Sequence, residues 1–595
     1  MHHPLAPGRM TLCRGRVLLL TCTVILGGCT SSEPVPRPVA PSPSFEEARR
    51  GGPLLRVSGQ VSLDSLDPGL MYQDESFFLA RGVFRTLVTY VTDEKRVTEL
   101  VPDLATDLGT SNDDLSEWRF ELKQGVRFGP AFGGRSVRGV TGREVTSDDV
   151  KYAFERAFLP SVPNDYTFYY EDLVGLDAFI DGDATEISGI TTPDERTIVF
   201  RLSRPAGDFP HRLTLPISSP VPRSLAHRFD IKKRSSYSRH AVATGPYYVE
   251  SYRPGSHIGL RRNPHWSIRT DEVRKAHFGG MSWRLDVPER EGLAALLDGK
   301  QDLVLDDPVT NLSLELAVAD RTRRARVRIE PNQCVRYIWM NTTIEPFDDV
   351  RVRRALSLAV DRYLIRRAFG GAAMGEIPGS VLQPGVAGHL PRAEYQPFST
   401  PGDAGDPVRA GRALVGTSAE NGWDERVLVL AGATPASATG ADLVVSALRR
   451  LGFSNIKLRL SGSLSGYGRP AEKVAVGPSA GWCGDYLDAF SSLYPLFHGD
   501  RIRPRHNENF AQLDDAELNR LIDRAAALPL GPERAEAWAE ANRRGTELAP
   551  WVPWLWENSR FIVSARLRGA VYEPNLQQID WTRARLKGVS EGAKE

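Results

Sequence analysis

One short loop sets an indole, a thiol and two carboxylates side by side: Gly481-Trp482-Cys483-Gly484-Asp485-Tyr486-Leu487-Asp488-Ala489-Phe490. It follows a Val-rich run, Lys473-Val474-Ala475-Val476, and then the turn-forming Gly477-Pro478-Ser479-Ala480, a pattern that predicts a strand end opening into a loop. A carboxylate just past a Trp at such a strand end is placed to face a cleft. The indole offers a flat apolar wall with one donor, and Asp485 offers an acceptor-only charge. Together they suit a small ligand that carries an ammonium beside an apolar body. Charge-assisted hydrogen bonds of about 1.5–3 kcal/mol each would hold it. Composition alone favours a plainer arrangement, in which Trp482 fills a core and Asp485 caps the next helix.

Other chemistries fit less well. Gly477-Pro478-Ser479-Ala480-Gly481 matches the Gly-x-Ser-x-Gly elbow of a serine hydrolase. That elbow needs a helix starting right after Ser479, with an acid and then a His following it in the chain. Here Trp-Cys-Gly-Asp-Tyr is a poor helix start, and His498 and His506 lie unusually near in sequence. Asp181-Gly182-Asp183-Ala184-Thr185-Glu186 hints at a calcium loop, but Glu186 stands where the sharp turn needs Gly. The eleven histidines show no i, i+4 ligand pair, and no Walker or dinucleotide glycine pattern appears. No cofactor and no enzymatic activity are expected.

The elements that must carry the loop begin after a leader. Residues 1–28 hold Arg9, Arg14 and Arg16 without an acid, then an apolar run from Val17 to Leu26 too short for a permanent membrane span. Leu26-Gly27-Gly28-Cys29 resembles the bacterial lipobox, which would leave Cys29 lipidated and the protein anchored outside the cytoplasm. Residues 29–52 are Ser- and Pro-rich at first and read as a flexible tether. Without the leader, the formal charge of +1 becomes −2, which argues against a nucleic-acid partner. Of five cysteines, only Cys334 and Cys483 remain in the body. Outside the cytoplasm such a pair is more often bonded than free, with reduced thiols as the alternative.

Leu54-Leu55-Arg56-Val57-Ser58 reads as a strand, and Trp118-Arg119-Phe120-Glu121-Leu122 alternates as a half-buried one. Thr146 or Ser147 can cap a helix whose apolar stripe is Val150, Ala153, Phe154, Ala157 and Phe158. Tyr337 to Asn341 is a strand, Asp442 to Leu451 a helix, and Leu513 to Ala527 an amphipathic helix. The β and α runs alternate as in a mixed sheet.

These phrases, in this order, resemble the extracytoplasmic solute-binding proteins of family 5, the oligopeptide and dipeptide binders of ABC importers. The phrases are Leu66-Asp67-Pro68, Pro102-Asp103-Leu104-Ala105, Phe120-Glu121-Leu122-Lys123-Gln124-Gly125-Val126-Arg127-Phe128, Thr244-Gly245-Pro246-Tyr247 and Trp482-Cys483-Gly484-Asp485-Tyr486. The resemblance spans about Leu54 to Trp554. It implies a two-lobed α/β fold of the periplasmic-binding-protein kind with an extra subdomain, mixed sheets and a cleft between lobes. Lobe 1 would be residues 53–336, with an inserted subdomain at about 90–212. Lobe 2 would be 337–552, and 553–595 would return to lobe 1, the crossings lying near Tyr337 and Trp551. Asp485 would hold the ligand's α-ammonium, with Trp482 and Tyr486 beside it, and Asp488 would cap a helix. Where the family often has Pro after that second Asp, this chain has Ala489, which leaves the loop's shape open. The resemblance also implies a Cys334–Cys483 disulfide bracing the loop, a permease as partner, and a monomer. A sensing lipoprotein or a nickel-chelate binder would share the fold.

Overall fold

The computed structural model describes residues 52–588 apart from 232, 306–325, 463–466, 468–471 and 505–506. The leader, Cys29 with its expected lipid, the tether up to residue 51 and His506 therefore lie outside the described residues. No helix among the described residues is long and apolar enough to cross a membrane.

Two sheets carry the architecture. In the first, Leu54–Ser58 buries Leu55 and Val57 and lies parallel to both Gly280–Arg284 and Leu303–Val304. His257–Arg262 and Tyr247–Arg253 extend it antiparallel, giving five strands. In the second, the order is Gly375–Glu376, Trp551–Ile562, Val327–Met340, Val476–Cys483, Val427–Gly432, Ile456–Ser461. The chain is thus α/β and two-lobed. A separate four-stranded sheet, Thr110–Ser111, Glu117–Glu121, Thr197–Arg201 and Ile190–Asp194, packs on the helix Ser147–Ala157.

The helices start where the chain supplies caps. Asp149 Oδ2 accepts the Thr146 N–H at 2.9 Å, which closes a capping box, and Val150, Ala153, Phe154 and Ala157 are buried below it. Helix Ala516–Ala526 is capped by Asp515, whose Oδ1 accepts from Leu518 N at 2.8 Å, and it buries Leu518, Leu521, Ile522 and Ala525. The helix expected from Asp442 in fact begins at Pro435, because Thr434 caps it and the missing N–H of Pro costs nothing in the first turn.

Val327–Met340 and Trp551–Ile562 join the two lobes as one long antiparallel pair, from Val327 opposite Ile562 to Trp339 opposite Trp551. Near one end Ile562 and Val327 pack with Leu293 and Leu296. At the other, Tyr337 stacks on Trp551 with ring centroids 3.3 Å apart. The ladder loses register between Pro331 and Val335, where Pro has no N–H to give. The boundaries expected at 336/337 and 552/553 fall inside these two strands rather than at their ends.

Gly477 to Ala480 is not a loop: the strand runs unbroken from Val476 to Cys483. Tertiary packing overrides the Gly-Pro turn signal. A Cβ on Gly477 would sit 2.2 Å from the Trp339 indole nitrogen, so only Gly lets the strand lie against that ring. Pro478 falls where the register slips between Trp339 opposite Gly477 and Tyr337 opposite Ala480, a place where the ladder is already broken.

Candidate functional site

The loop after Val476–Cys483 is held on three sides. Cys334 and Cys483 face each other across antiparallel strands and are joined by a disulfide. Gly484 N donates to Gln333 O at 2.8 Å. Trp482 Nε1 donates to Ser491 O at 3.0 Å, so the indole's donor is already used and its ring alone faces outward. Held this way, Gly481 to Asp485 form one wall of a cavity of about 940 Å³. The opposite wall is Gln60 to Ser62, Tyr72 to Glu75 and Phe77 with Tyr166, and Glu289. Arg560, Asn575 and Gln577 line it further. The cavity therefore lies between the lobes, with Asp485 and Trp482 on one side of it.

Asp485 is half-buried, and from the other lobe the Tyr169 hydroxyl donates to its Oδ2. Burial pushes its carboxyl up to about 7. The Tyr169 hydrogen bond opposes that push, while the charges of Glu508 and Asp74 add to it. An acid in this setting pairs with a cation that enters the cavity, because the cation removes the cost of its ionised form. Tyr72 and Tyr166 stand as a tilted pair with centroids 5.2 Å apart, and Phe77 stacks on Tyr166 at 6.1 Å. With Trp482 they give the cavity aromatic faces, which attract both apolar bodies and cations.

Tyr486 is placed elsewhere than expected. Its ring is fully buried and its hydroxyl donates to Asp208 Oδ2 at 2.7 Å, so it faces the inserted subdomain and not the cavity. The pocket it fills is built by Asp208 and by the Tyr169 ring, whose centroid lies 5.0 Å from its own. Asp488 lies deeper still. Its Oδ1 accepts from Phe490 N at 2.9 Å, at the start of helix Phe490–Phe497, and from Arg534 Nη2 at 3.0 Å. It stands one residue before the N-cap, Ala489, where it accepts the helix's first N–H, and it is also half of a buried ion pair. Asp208 is clamped in turn by Arg212, with Nε at 2.8 Å. Against the upward push of burial, Arg212 and Arg534 hold the Asp208 carboxyl well below the usual range.

Ser479 lies inside a strand, and its Oγ accepts from Gly432 N at 3.1 Å. It is not on a strand-to-helix elbow. Among the described residues no group of three or more His, Cys, Asp or Glu is arranged to hold a metal.

Several residues of the cavity were not legible from the motif. Tyr72, Asp74 and Glu75 follow the Leu66-Asp67-Pro68 turn, and Tyr166 comes from the aromatic run Tyr166 to Tyr170, which also supplies the buried Tyr169 that bonds Asp485. The density of rings in that run was the available signal. Asn575 and Gln577 lie in the tail, where nothing in the sequence marks them. The buried Asn575 Oδ1 has no hydrogen-bond partner among the described residues.

Comparison with known proteins agrees with this geometry. Residues 99–503 match the family described as bacterial extracellular solute-binding proteins, family 5 Middle. The chain is 23% identical over 537 residues to the probable D,D-dipeptide-binding periplasmic protein DdpA of Escherichia coli K12, covering 88% of this chain and 93% of that one. It is 26% identical over 317 residues to the periplasmic oligopeptide-binding protein OppA of Salmonella typhimurium, about half of each chain. Among solved structures, the clavulanic acid biosynthesis oligopeptide binding protein 2 superposes with a TM-score of 0.80 at 28% identity, over 90% of this chain and 96% of that one.

Proposed function

Given that the chain belongs to the family 5 bacterial extracellular solute-binding proteins, we propose that it captures a peptide or similar ammonium-bearing solute between its lobes and delivers it to the membrane permease of an ABC importer. The observation that carries this reading is Asp485 on the wall of the interlobe cavity, its carboxyl raised by burial and its ring neighbours aromatic. The ligand's ammonium meets Asp485, and Trp482, Tyr72 and Tyr166 enclose the adjoining chain. Main-chain groups along the cleft supply affinity that depends little on side-chain identity, as when an extended peptide lies along a strand edge. The names of the relatives, dipeptide- and oligopeptide-binding, support peptides as the cargo.

Opening and closing would flex the two long crossing strands where their ladder loses register, between Pro331 and Val335. A lipid on Cys29 and the tether behind it would keep the body near the permease. The chain itself carries no ATP hydrolysis in this scheme. Native mass spectrometry of freshly purified protein tests the reading, since a closed binder retains cargo. A mass increment that matches peptides, released at acid pH, is the expected result. A protein that neither carries nor takes up any peptide from a defined mixture would overturn it.

A further inference from the structure

Beside the cavity, the subdomain with the four-stranded sheet meets the lobe that carries the motif loop. Three buried acids of this face already have a guanidinium on their own side. On the subdomain, Arg212 holds Asp208 through Nε and Asp172 through Nη1, both at 2.8 Å. On the motif lobe, Arg534 holds Asp488 through Nη2 at 3.0 Å. Arg534 also approaches Asp208 across the face, at 4.0 Å, but each keeps its nearer partner when the sides separate. The hydrogen bonds between the sides come from hydroxyls and backbone. The Tyr486 hydroxyl donates to Asp208 at 2.7 Å, the Tyr169 hydroxyl to Asp485 and to Ser491 O, and Gly207 N to Ala526 O at 2.9 Å. Such a face can part without stripping these arginines of their counter-charges, and water replaces the hydroxyl bonds.

Glu171 breaks this pattern at the rim. Its Oε1 accepts from Arg503 Nη1 at 2.7 Å, and its Oε2 accepts from Arg503 Nη2 at 2.8 Å and from Arg501 Nη1 at 3.0 Å. One carboxylate of the subdomain thus takes three bonds from two guanidiniums of the motif lobe, one of them bidentate. Backbone on both flanks ties Glu171 to its own sheet: Ser203 N donates to Asp172 O at 2.7 Å, and Val174 N donates to Arg201 O at 3.0 Å. The Arg501 side chain is only 4% exposed, and its guanidinium lies 5.0 Å from the Phe168 ring centroid. An ion pair with one buried partner is screened less than a surface pair. Glu171, Arg501 and Arg503 are not among the residues lining the cavity, so they act on the closed arrangement and not on the cargo.

Resting on the reading of the chain as an interlobe binder, we infer that Glu171 with Arg501 and Arg503 is a clasp that holds the closed form. It forms when the two sides meet around cargo, parts when they separate, and sets how long the cargo stays. Release responds to it more than capture does, because cargo enters while the clasp is apart.

Stopped-flow release of Ala-Lys-Ala from the full chain at low ionic strength, followed by Trp fluorescence, tests this. Glu171→Gln keeps the shape and removes the charge. It should raise the dissociation rate about tenfold, with the association rate and the urea midpoint of the ligand-free protein little changed. Arg503→Gln should act in the same direction, and combining the two should add little to Glu171→Gln, since both remove one interaction. Added salt should speed release from the wild type and barely from Glu171→Gln. Unchanged release in Glu171→Gln, or faster release with a matching fall in the urea midpoint, would overturn the clasp and leave peptide capture standing. A wild type that takes up no Ala-Lys-Ala counts against the peptide reading instead. Solution X-ray scattering of the ligand-free chains then decides the clasp: a larger radius of gyration for Glu171→Gln supports it, and an equal one overturns it.

Discussion

Asp485 and Asp488 stand three residues apart in the same loop and have opposite environments. Asp488 is sealed in, with the Arg534 guanidinium and the Phe490 N–H on its oxygens. Asp485 faces a cavity, receives one hydroxyl from across the interface, and has its carboxyl raised to about 7. Residue type does not separate them; the partner does. The frame carboxylate Asp488 is given its cation by the chain, whereas under the proposed function Asp485 is completed by the ligand.

The largest expected effect is on the frame side. Asp488→Ala breaks the buried pair at 3.0 Å and leaves Arg534 with only the Asp208 carboxylate, 4.0 Å away and already clamped by Arg212, a loss of about 3–5 kcal/mol. Chemical denaturation should show that loss, with ligand affinity falling only as the folded fraction does. A stability loss within about 0.5 kcal/mol would mean that the Asp488–Arg534 pair is ordinary surface chemistry.

Next comes the brace behind the loop. Cys334 and Cys483 are 149 residues apart in sequence, and replacing both with Ser removes a cross-link worth about 2–4 kcal/mol. Thermal unfolding in the presence and absence of reductant checks this. An unreduced wild type no more stable than the double variant would contradict the account.

A smaller effect belongs to Tyr169, whose hydroxyl favours the ionised form of Asp485. Tyr169→Phe should raise the Asp485 pKa further and shift the pH midpoint of ligand binding upward, with an affinity loss at pH 7 of roughly 1 kcal/mol. No shift in that midpoint would remove Tyr169 from the site.

The comparison also fixes a sign for pH. Asp485 has a folded-state pKa above its unfolded value, so the folded ligand-free protein binds the extra proton and is stabilised at low pH. That contribution is lost as pH rises from about 4 towards 7. Buried Glu573, also raised to about 7, works in the same direction, so the Asp485 share is the part that Asp485→Asn abolishes. A pH–stability curve unchanged by the substitution would place the carboxylate in open solvent.

Much of this could be read from the chain before its structure was known. Caps and apolar spacing gave the helices at Ser147 and Ala516, and cysteine counting with the family resemblance gave the Cys334–Cys483 bond. Asp485 and Trp482 stood out through the family resemblance of Trp482-Cys483-Gly484-Asp485-Tyr486, since composition alone favoured a core Trp and a capping Asp. What stayed hidden depends on contacts between distant segments. Tyr169 reaches Asp485 from 316 residues earlier in the chain, and no local pattern encodes such a meeting. The Gly477-Pro478 turn signal failed because Trp339 packs on that glycine, and tertiary packing outweighs a local preference. Tyr486 lies away from the cavity wall, which a motif cannot foretell because it names residues without giving the direction in which each one points.

Titration calorimetry of one peptide, Ala-Lys-Ala, against the wild type and Asp485→Asn between pH 5.5 and 8.5 tests the central claim most directly. The wild type should bind more tightly as pH rises towards 7, whereas the variant should bind more than tenfold more weakly at pH 7 and lack that rise; both weaken above about pH 8, where the peptide's own ammonium is lost. Equal affinities with parallel profiles would contradict the account.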